Sequence, residues 1–195
     1  MERLRQQLEF LAEIDKLKKI ERQTLLLDTS RRENDAEHSW HLAMLAIVLA
    51  EYSNRPVDLT RVVKMVLVHD LVEIDAGDSY AYDPEAQLDK HERELAAAER
   101  IFAILPDDQA AELRQLWDEF EEGASADAQF ASALDRFQPL LHNLLTEGKS
   151  WRENEVSRSA VWRRCSPIEN GSKVLWQHMA ERIEQAVRDG LLRDA

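Results

Sequence analysis

The sequence is poor in residues that break regular secondary structure, with five glycines and five prolines among 195 residues. Because glycine and proline interrupt helices while Leu, Ala, Glu, Arg and Gln favour them, this composition predicts a largely helical chain. A single cysteine, Cys165, excludes an internal disulfide and is typical of a reducing compartment. The sequence has neither a signal-peptide pattern nor a run of about 18 apolar residues, so we expect a cytoplasmic protein with no membrane partner.

The chain also lacks an excess of positive charge, since its formal net charge is −13 at pH 7. Nucleic-acid polymers are bound through many Lys and Arg contacts to phosphate, so this balance argues against such a partner. A small anion remains compatible, because a metal ion and a few arginines create a local positive field whatever the global charge. We therefore expect a small-molecule partner.

Apolar residues recur at spacings of three and four along most of the chain, for example within 42–49 and 113–120. This period is typical of amphipathic helices. Asn34 or Asp35 is placed to cap one of them, and no segment alternates with a period of two for long enough to predict a strand. The pattern predicts an all-α fold, a compact bundle of about eight or nine helices.

The chain shows no linker or low-complexity tract, so we predict one domain over residues 1–195. Its motif-bearing core covers about 15–150, and the helices of 151–195 serve packing or dimerisation. Apolar faces that a monomer would leave uncovered favour an oligomer, with a two-fold homodimer as the default.

Four polar residues stand in or beside apolar helical segments. His69 and Asp70 follow the run Val62–Val68, His38 stands in the first turn of a predicted helix, and Asp135 interrupts another apolar run. Isolated buried charge costs several kcal/mol unless it is paired or bound to a cation. Two imidazoles and two carboxylates are a common mixed ligand set for a divalent transition metal, so these four residues predict a metal site.

The order of a His, an adjacent His-Asp pair and a later Asp resembles that of the HD-domain metal-dependent phosphohydrolases. The segments 32–39, 68–78 and 133–136 resemble the branch that contains the bacterial 5'-deoxynucleotidases and their eukaryotic relatives, and the likeness spans roughly residues 1 to 150. The resemblance implies that His38, His69, Asp70 and Asp135 are the metal ligands. It implies hydrolysis of nucleoside 5'-monophosphates, with deoxyribonucleotides favoured.

The resemblance also implies roles for residues around the ligands. It makes Glu73 and Asp78 acid-base or water-orienting carboxylates, makes Arg22 a phosphate-binding residue, and leaves Lys90 a chance of reaching substrate. Spacing agrees for Glu73, which lies four residues after His69 and hence about one helical turn away. We read Lys90 otherwise as an exposed partner of the glutamate four residues later, and 75–87 as a loop beside the site.

One departure from the family concerns the sugar. The aromatic residue expected just after the arginine is absent, and Gln23 and Thr24 stand there. Such a ring would exclude a 2'-hydroxyl, so ribose remains an alternative to deoxyribose.

The cofactor is expected to be one ion of Mn, Co, Fe, Ni or Zn. A non-catalytic nucleotide sensor or scaffold that retains the metal is one alternative function. A di-iron HD oxygenase is another, for which His41 and His142 are the spare histidines near the motifs.

Overall fold

The structure is a computed structural model that describes residues 1–82 and 88–195. Its helices are, in chain order, α1 (Glu2–Ile14), α2 (Asp35–Leu49), α3 (Leu59–Val68), α4 (Glu73–Ala76), α5 (Lys90–Phe102), α6 (Asp107–Glu122), α7 (Ala126–Leu145), α8 (Lys149–Glu153), α9 (Arg158–Cys165), α10 (Ile168–Gly171) and α11 (Lys173–Arg188). Within the described ranges, nine of these helices have five residues or more, which confirms the predicted all-α fold.

A small antiparallel hairpin, which the sequence did not predict, joins α1 to α2. It consists of β1 (Glu21–Leu25) and β2 (Arg32–Asn34), with Glu21 opposite Asn34. Strands of five and three residues are too short to show a clear alternation of polar and apolar positions. The hairpin matters for the site because it places Arg22 next to the start of α2.

The start of α2 is fixed by a reciprocal cap. Asn34 Oδ1 accepts from the backbone N–H of Glu37 at 3.0 Å, and the Glu37 carboxylate accepts from the backbone N–H of Asn34 at 3.1 Å. Leu42 and Ala46 are fully buried where α2 packs against α3 and α7. This cap and this packing hold His38 in the first turn of α2, facing the interior.

The metal-motif helix changes geometry at His69. Asp58 caps α3 by accepting from a backbone N–H, and the helix then buries Val62, Met65 and Val66 completely. At His69 the α-helix gives way to a 3-10 turn of four residues, and α4 begins at Glu73. Such a tightened turn inside a helical run is common at functional sites.

The helix α7 is the centre of the bundle. Ser125 caps it, Phe130 and Leu134 are fully buried, and it contacts α2, α3, α6, α10 and α11. The short helix α10 approaches it closely at Gly171, where an added Cβ would lie 2.3 Å from the carbonyl oxygen of Gln129. This close approach brings the last helices of the chain against the segment that carries Asp135.

The segment after α8 packs onto the same bundle. The rings of Trp162 and Trp176 meet edge to face at 4.9 Å, and the Asn54 amide donates to the carbonyl of Glu169 at 2.7 Å. Among the described residues, no helix combines the length and apolarity needed to cross a membrane. Of the loop expected at 75–87, the first two residues belong to α4, and residues 83–87 lie outside the described part of the chain.

Candidate metal centre and active site

The four side chains predicted as metal ligands lie together. The donor atoms of His38, His69 and Asp135 lie within 4.8 Å of one another. Asp70 joins them, with one carboxylate oxygen 3.1 Å from His69 Nε2 and the other 3.8 Å from His38 Nε2. His69, Asp70 and Asp135 line a cavity of about 460 Å³, and His38 is fully buried next to them.

The second ring nitrogen of each histidine is already engaged. His69 Nδ1 donates to a backbone carbonyl of its own helix at 3.0 Å, and His38 Nδ1 lies 3.1 Å from Gln138 Oε1. The amide nitrogen of Gln138 donates to Glu33 Oε2 at 2.9 Å, which turns the amide oxygen toward His38 and makes Nδ1 the donor. Both Nε2 atoms therefore face the carboxylates of the cluster.

The ionisable side chains of this cluster shift one another's pKa values. Burial, with the charge of Arg22, lowers the pKa of His38 to about 4, so its imidazole is neutral. Burial acts to lower the pKa of His69, but the charges of Asp70 and Asp135 outweigh it and raise that pKa. Burial alone would raise the pKa of Asp135, yet its contacts with the two histidines hold it well below the usual range.

These observations fit a bound divalent metal ion. The buried His69 Nε2 has no hydrogen-bond partner among the described residues, although a carboxylate oxygen stands 3.1 Å away. Two imidazole nitrogens and two carboxylate oxygens suit a transition metal better than Mg²⁺ or Ca²⁺, which prefer oxygen ligands alone.

Glu73 belongs to a second, acidic group beside the ligands. Arg22 Nη1 lies 2.9 Å from both Asp35 Oδ1 and Asp70 Oδ2, and Glu73 hydrogen-bonds Asp35. Burial and the nearby charge of Asp70 raise the pKa of Asp35 to about 7, and burial with both aspartates raises the pKa of Glu73 well above its usual range. A raised pKa favours the protonated carboxyl group, which is the form that a general acid needs.

Asp78 and Lys90 both line the cavity. Gly77 precedes Asp78 with φ at 74°, a left-handed conformation that turns the chain sharply at the end of α4. Burial raises the pKa of Asp78. Lys90 Nζ lies 3.2 Å from Glu94 Oε1, but Glu94 is buried, so the expectation of an exposed pair was wrong.

Several cavity or support residues were missed from the sequence. Glu33 and Asp35 are buried acidic residues of the first motif. Their position in the sequence, a few residues before His38, was a signal that they fold next to it. Gln138, fully buried one turn after Asp135, was hidden because its partners come from distant segments. Arg164 lines the cavity from α9, and no local pattern marked it.

His41 and His142 lie outside the donor cluster. His142 Nδ1 donates to the carbonyl of Leu25 at 2.9 Å, and its Nε2 lies 3.1 Å from Gln138 Nε2. His41 Nδ1 lies 3.4 Å from the same Gln138 nitrogen. Both histidines therefore contact the amide that supports His38.

Comparison with known proteins agrees with this arrangement. A family model described as HD domain matches residues 14–176, and the chain belongs to the HD-domain family. A solved structure from Magnetospirillum magnetotacticum, of a protein described as a predicted metal-dependent phosphohydrolase, shares 54% identity with a TM-score of 0.93, covering 98% of this chain and 96% of that one.

Curated relatives of the chain are named for an enzyme activity, that of a 5'-deoxynucleotidase. The chain is 33% identical over 135 residues to human 5'-deoxynucleotidase HDDC2, which covers 69% of this chain and 65% of that protein. The Xenopus laevis protein of the same name is 30% identical over 138 residues, with 70% and 67% covered. The chain thus spans about two thirds of the length of these relatives.

Proposed function

We propose that this protein is a metal-dependent phosphomonoesterase that hydrolyses nucleoside 5'-monophosphates, with deoxyribonucleotides as the preferred substrates. The observation that carries the proposal is the meeting of two imidazole nitrogens and two aspartates beside the buried Glu73 at one cavity. The relatives named 5'-deoxynucleotidase support the substrate class.

His38, His69, Asp70 and Asp135 would hold one ion of Mn, Co, Fe, Ni or Zn. When bound, such an ion neutralises phosphate charge and lowers the pKa of water toward neutrality. The buried His142 bonds to Gln138 and to the Leu25 carbonyl, and the half-buried His41 lies 3.4 Å from Gln138, which disfavours the di-iron oxygenase as the function.

The protein's own groups account for the proton transfers and for substrate binding. Glu73 gives its proton to the departing 5'-oxygen, and Asp78 orients the attacking water from the turn after Gly77. Arg22 adds positive charge beside Asp70, and Lys90 adds a further cation to the lining of the cavity. Burial would lower the pKa of Lys90, but opposing causes, of which the charge of Glu94 is the largest, outweigh it and raise that pKa.

The cavity suits a nucleoside attached to the phosphate. Its volume of about 460 Å³ falls in the range of small-molecule sites, and Tyr80, Tyr82 and Phe120 provide aromatic surface. Gln23 and Thr24 also line it, so polar groups occupy the region where the family resemblance led us to expect an aromatic ring. We therefore propose that discrimination against ribose is weaker here than an aromatic wall would give.

We further propose a cytoplasmic homodimer. The helix α2 exposes Trp40, Met44, Ile47 and Val48, with Trp40 64% exposed, and these positions share one helical face. Such a stripe is unusual on a monomer and suits a two-fold contact. Light scattering on the wild type and on Ile47→Glu tests this, since the charge would dissociate a dimer built on that stripe.

Released phosphate tests the activity. Metal-stripped protein is incubated with Mn²⁺, Co²⁺, Fe²⁺ or Zn²⁺ and a panel of ribo- and deoxyribonucleoside monophosphates, beside an Asp70→Ala variant. We expect metal-dependent release that is lost in the variant. Tight nucleotide binding without turnover at any metal would contradict the proposal and favour the sensor.

A further inference from the structure

Arg164 lies beside the candidate metal centre although it comes from the C-terminal part of the chain. Its Nη2 is 3.4 Å from Asp135 Oδ2, while Asp135 Oδ1 is 3.2 Å from His38 Nε2. One aspartate therefore faces the histidines with one oxygen and Arg164 with the other. The guanidinium lines the same cavity as the ligands and is 34% exposed.

Among the arginines that line the cavity, Arg22 and Arg164 differ in how far their hydrogen-bond donors are used. Arg22 is 11% exposed and lies 2.9 Å from two carboxylates, Asp35 and Asp70, with Glu33 a further 3.6 Å neighbour. Arg164 makes one long contact, to Asp135, among the described residues. A guanidinium has five N–H donors, so Arg164 keeps donors available to a ligand in the cavity.

Arg136 adds another guanidinium group to the lining of the cavity. It lines the cavity, and its buried Nε has no hydrogen-bond partner among the described residues. Arg136 and Arg164 therefore both bring guanidinium groups to the cavity that Asp135 lines.

We propose that Arg164 binds the phosphate of the substrate from the side of Asp135, while Arg22 acts from the side of Asp70. This assignment rests on the proposed phosphomonoesterase function. Arginine suits the task because its planar fork donates two parallel hydrogen bonds to phosphate oxygens. The helix α9, which belongs to the C-terminal part of the chain, thus completes the substrate site in addition to packing on the bundle.

The test compares Arg164→Gln and Arg164→Lys with Arg163→Gln. Arg163 is the adjacent residue of α9 and is exposed, so its substitution changes the net charge equally without touching the cavity. For each metal-loaded protein we would measure KM and kcat for a deoxynucleoside monophosphate, the affinity for inorganic phosphate by calorimetry, and the affinity for the metal.

Arg164→Gln should weaken inorganic phosphate binding and raise KM on the order of 10- to 100-fold, the effect of losing a hydrogen bond between charged groups. Arg164→Lys should fall between, Arg163→Gln should match the wild type, and metal affinity should stay unchanged. Unchanged phosphate affinity in Arg164→Gln would overturn the assignment. So would a loss confined to metal affinity, because Arg164 would then only orient Asp135.

Failure of the proposed function has a different signature. A wild type that releases no phosphate from any nucleotide refutes the phosphomonoesterase. Calorimetry with inorganic phosphate still decides the role of Arg164 in that case, since it needs no turnover.

Discussion

Replacing Gln138 with methionine removes the acceptor that holds His38 in one tautomer. In the wild type, His38 Nδ1–H donates to Gln138 Oε1 at 3.1 Å, and both side chains are fully buried. Methionine keeps a similar length and volume without a carbonyl, so Nδ1 loses its partner and no water takes its place. The proton then favours Nε2, where it can bond Asp135 Oδ1 at 3.2 Å.

The size of the expected loss of metal affinity follows from the proton on Nε2. A metal ion has to displace it before Nε2 can coordinate, and loss of a partner behind a ligating histidine costs about 10- to 100-fold in metal affinity. At about 1.4 kcal/mol per tenfold change, this is roughly 1.4–2.8 kcal/mol, similar to the cost of an unsatisfied buried donor. The free energy of unfolding should fall by a comparable amount because Glu33 also loses the donor at 2.9 Å.

Calorimetric titration of metal-stripped Gln138→Met with Mn²⁺ measures the loss of metal affinity. The matched control is Gln177→Met, because Gln177 is an exposed glutamine of α11. Gln138→Glu should retain more affinity than Gln138→Met, because a carboxylate oxygen can still accept from His38 Nδ1. Wild-type Mn²⁺ affinity in a folded Gln138→Met protein would refute the reasoning, since the amide would then have no influence on the ligand nitrogen.

Three other perturbations are predicted from the structure. Glu73→Gln should reduce kcat by about 10²- to 10⁴-fold and leave metal affinity intact. The loss should be smaller for phosphate esters of acidic alcohols, because such alcohols depart without being protonated. Equal losses for all leaving groups would show that Glu73 is not the general acid. Burial raises the pKa of Glu33 to about 7, so its protonated form contributes stability that is present below its unfolded pKa and lost as pH rises through about 7. In urea unfolding of the metal-free protein, the free energy of unfolding of Glu33→Gln should rise relative to that of the wild type between pH 5.5 and pH 8. A constant difference between the two proteins would contradict the ionisation of Glu33. Gly171→Ala should lower the free energy of unfolding by about 1–3 kcal/mol, because its Cβ would collide with a backbone carbonyl of α7. Gly190→Ala isolates backbone strain, because that site has open space and a φ of 73°, whereas Gly171 has no such φ; an unchanged free energy of unfolding in Gly171→Ala would contradict the collision.

The helical fold was predictable because its signals are local. Apolar spacings of three and four depend on residues within one or two turns, and the Asn34 cap depends on Glu37 three residues later. The hairpin was missed because its two strands are short and their pairing is not local. The 3-10 turn at His69 was missed as well, since helix and 3-10 turn share almost the same local sequence preferences.

The four ligand candidates were predictable for a different reason. A histidine or aspartate within an apolar run needs compensation wherever the chain folds, so His69, Asp70 and Asp135 stood out before any contact was known. The tertiary structure decided which atoms meet. It sets the 3.2 Å contact between His38 Nε2 and Asp135 Oδ1, and it brings Asp35 beside Glu73, where burial and the charges of Asp70 and Asp35 raise the pKa of Glu73.

The sequence by itself thus determined the helices, their caps and the residue types able to bind a cation, because these follow from propensity, periodicity and the cost of buried charge. Only the tertiary structure selected Gln138 and Arg164, whose types are ordinary on any helix. Their partners are 105 residues away at Glu33 and 29 residues away at Asp135. Hydrogen bonding and desolvation act over a few ångströms in space, and that proximity is created when α2, α7 and α9 pack together.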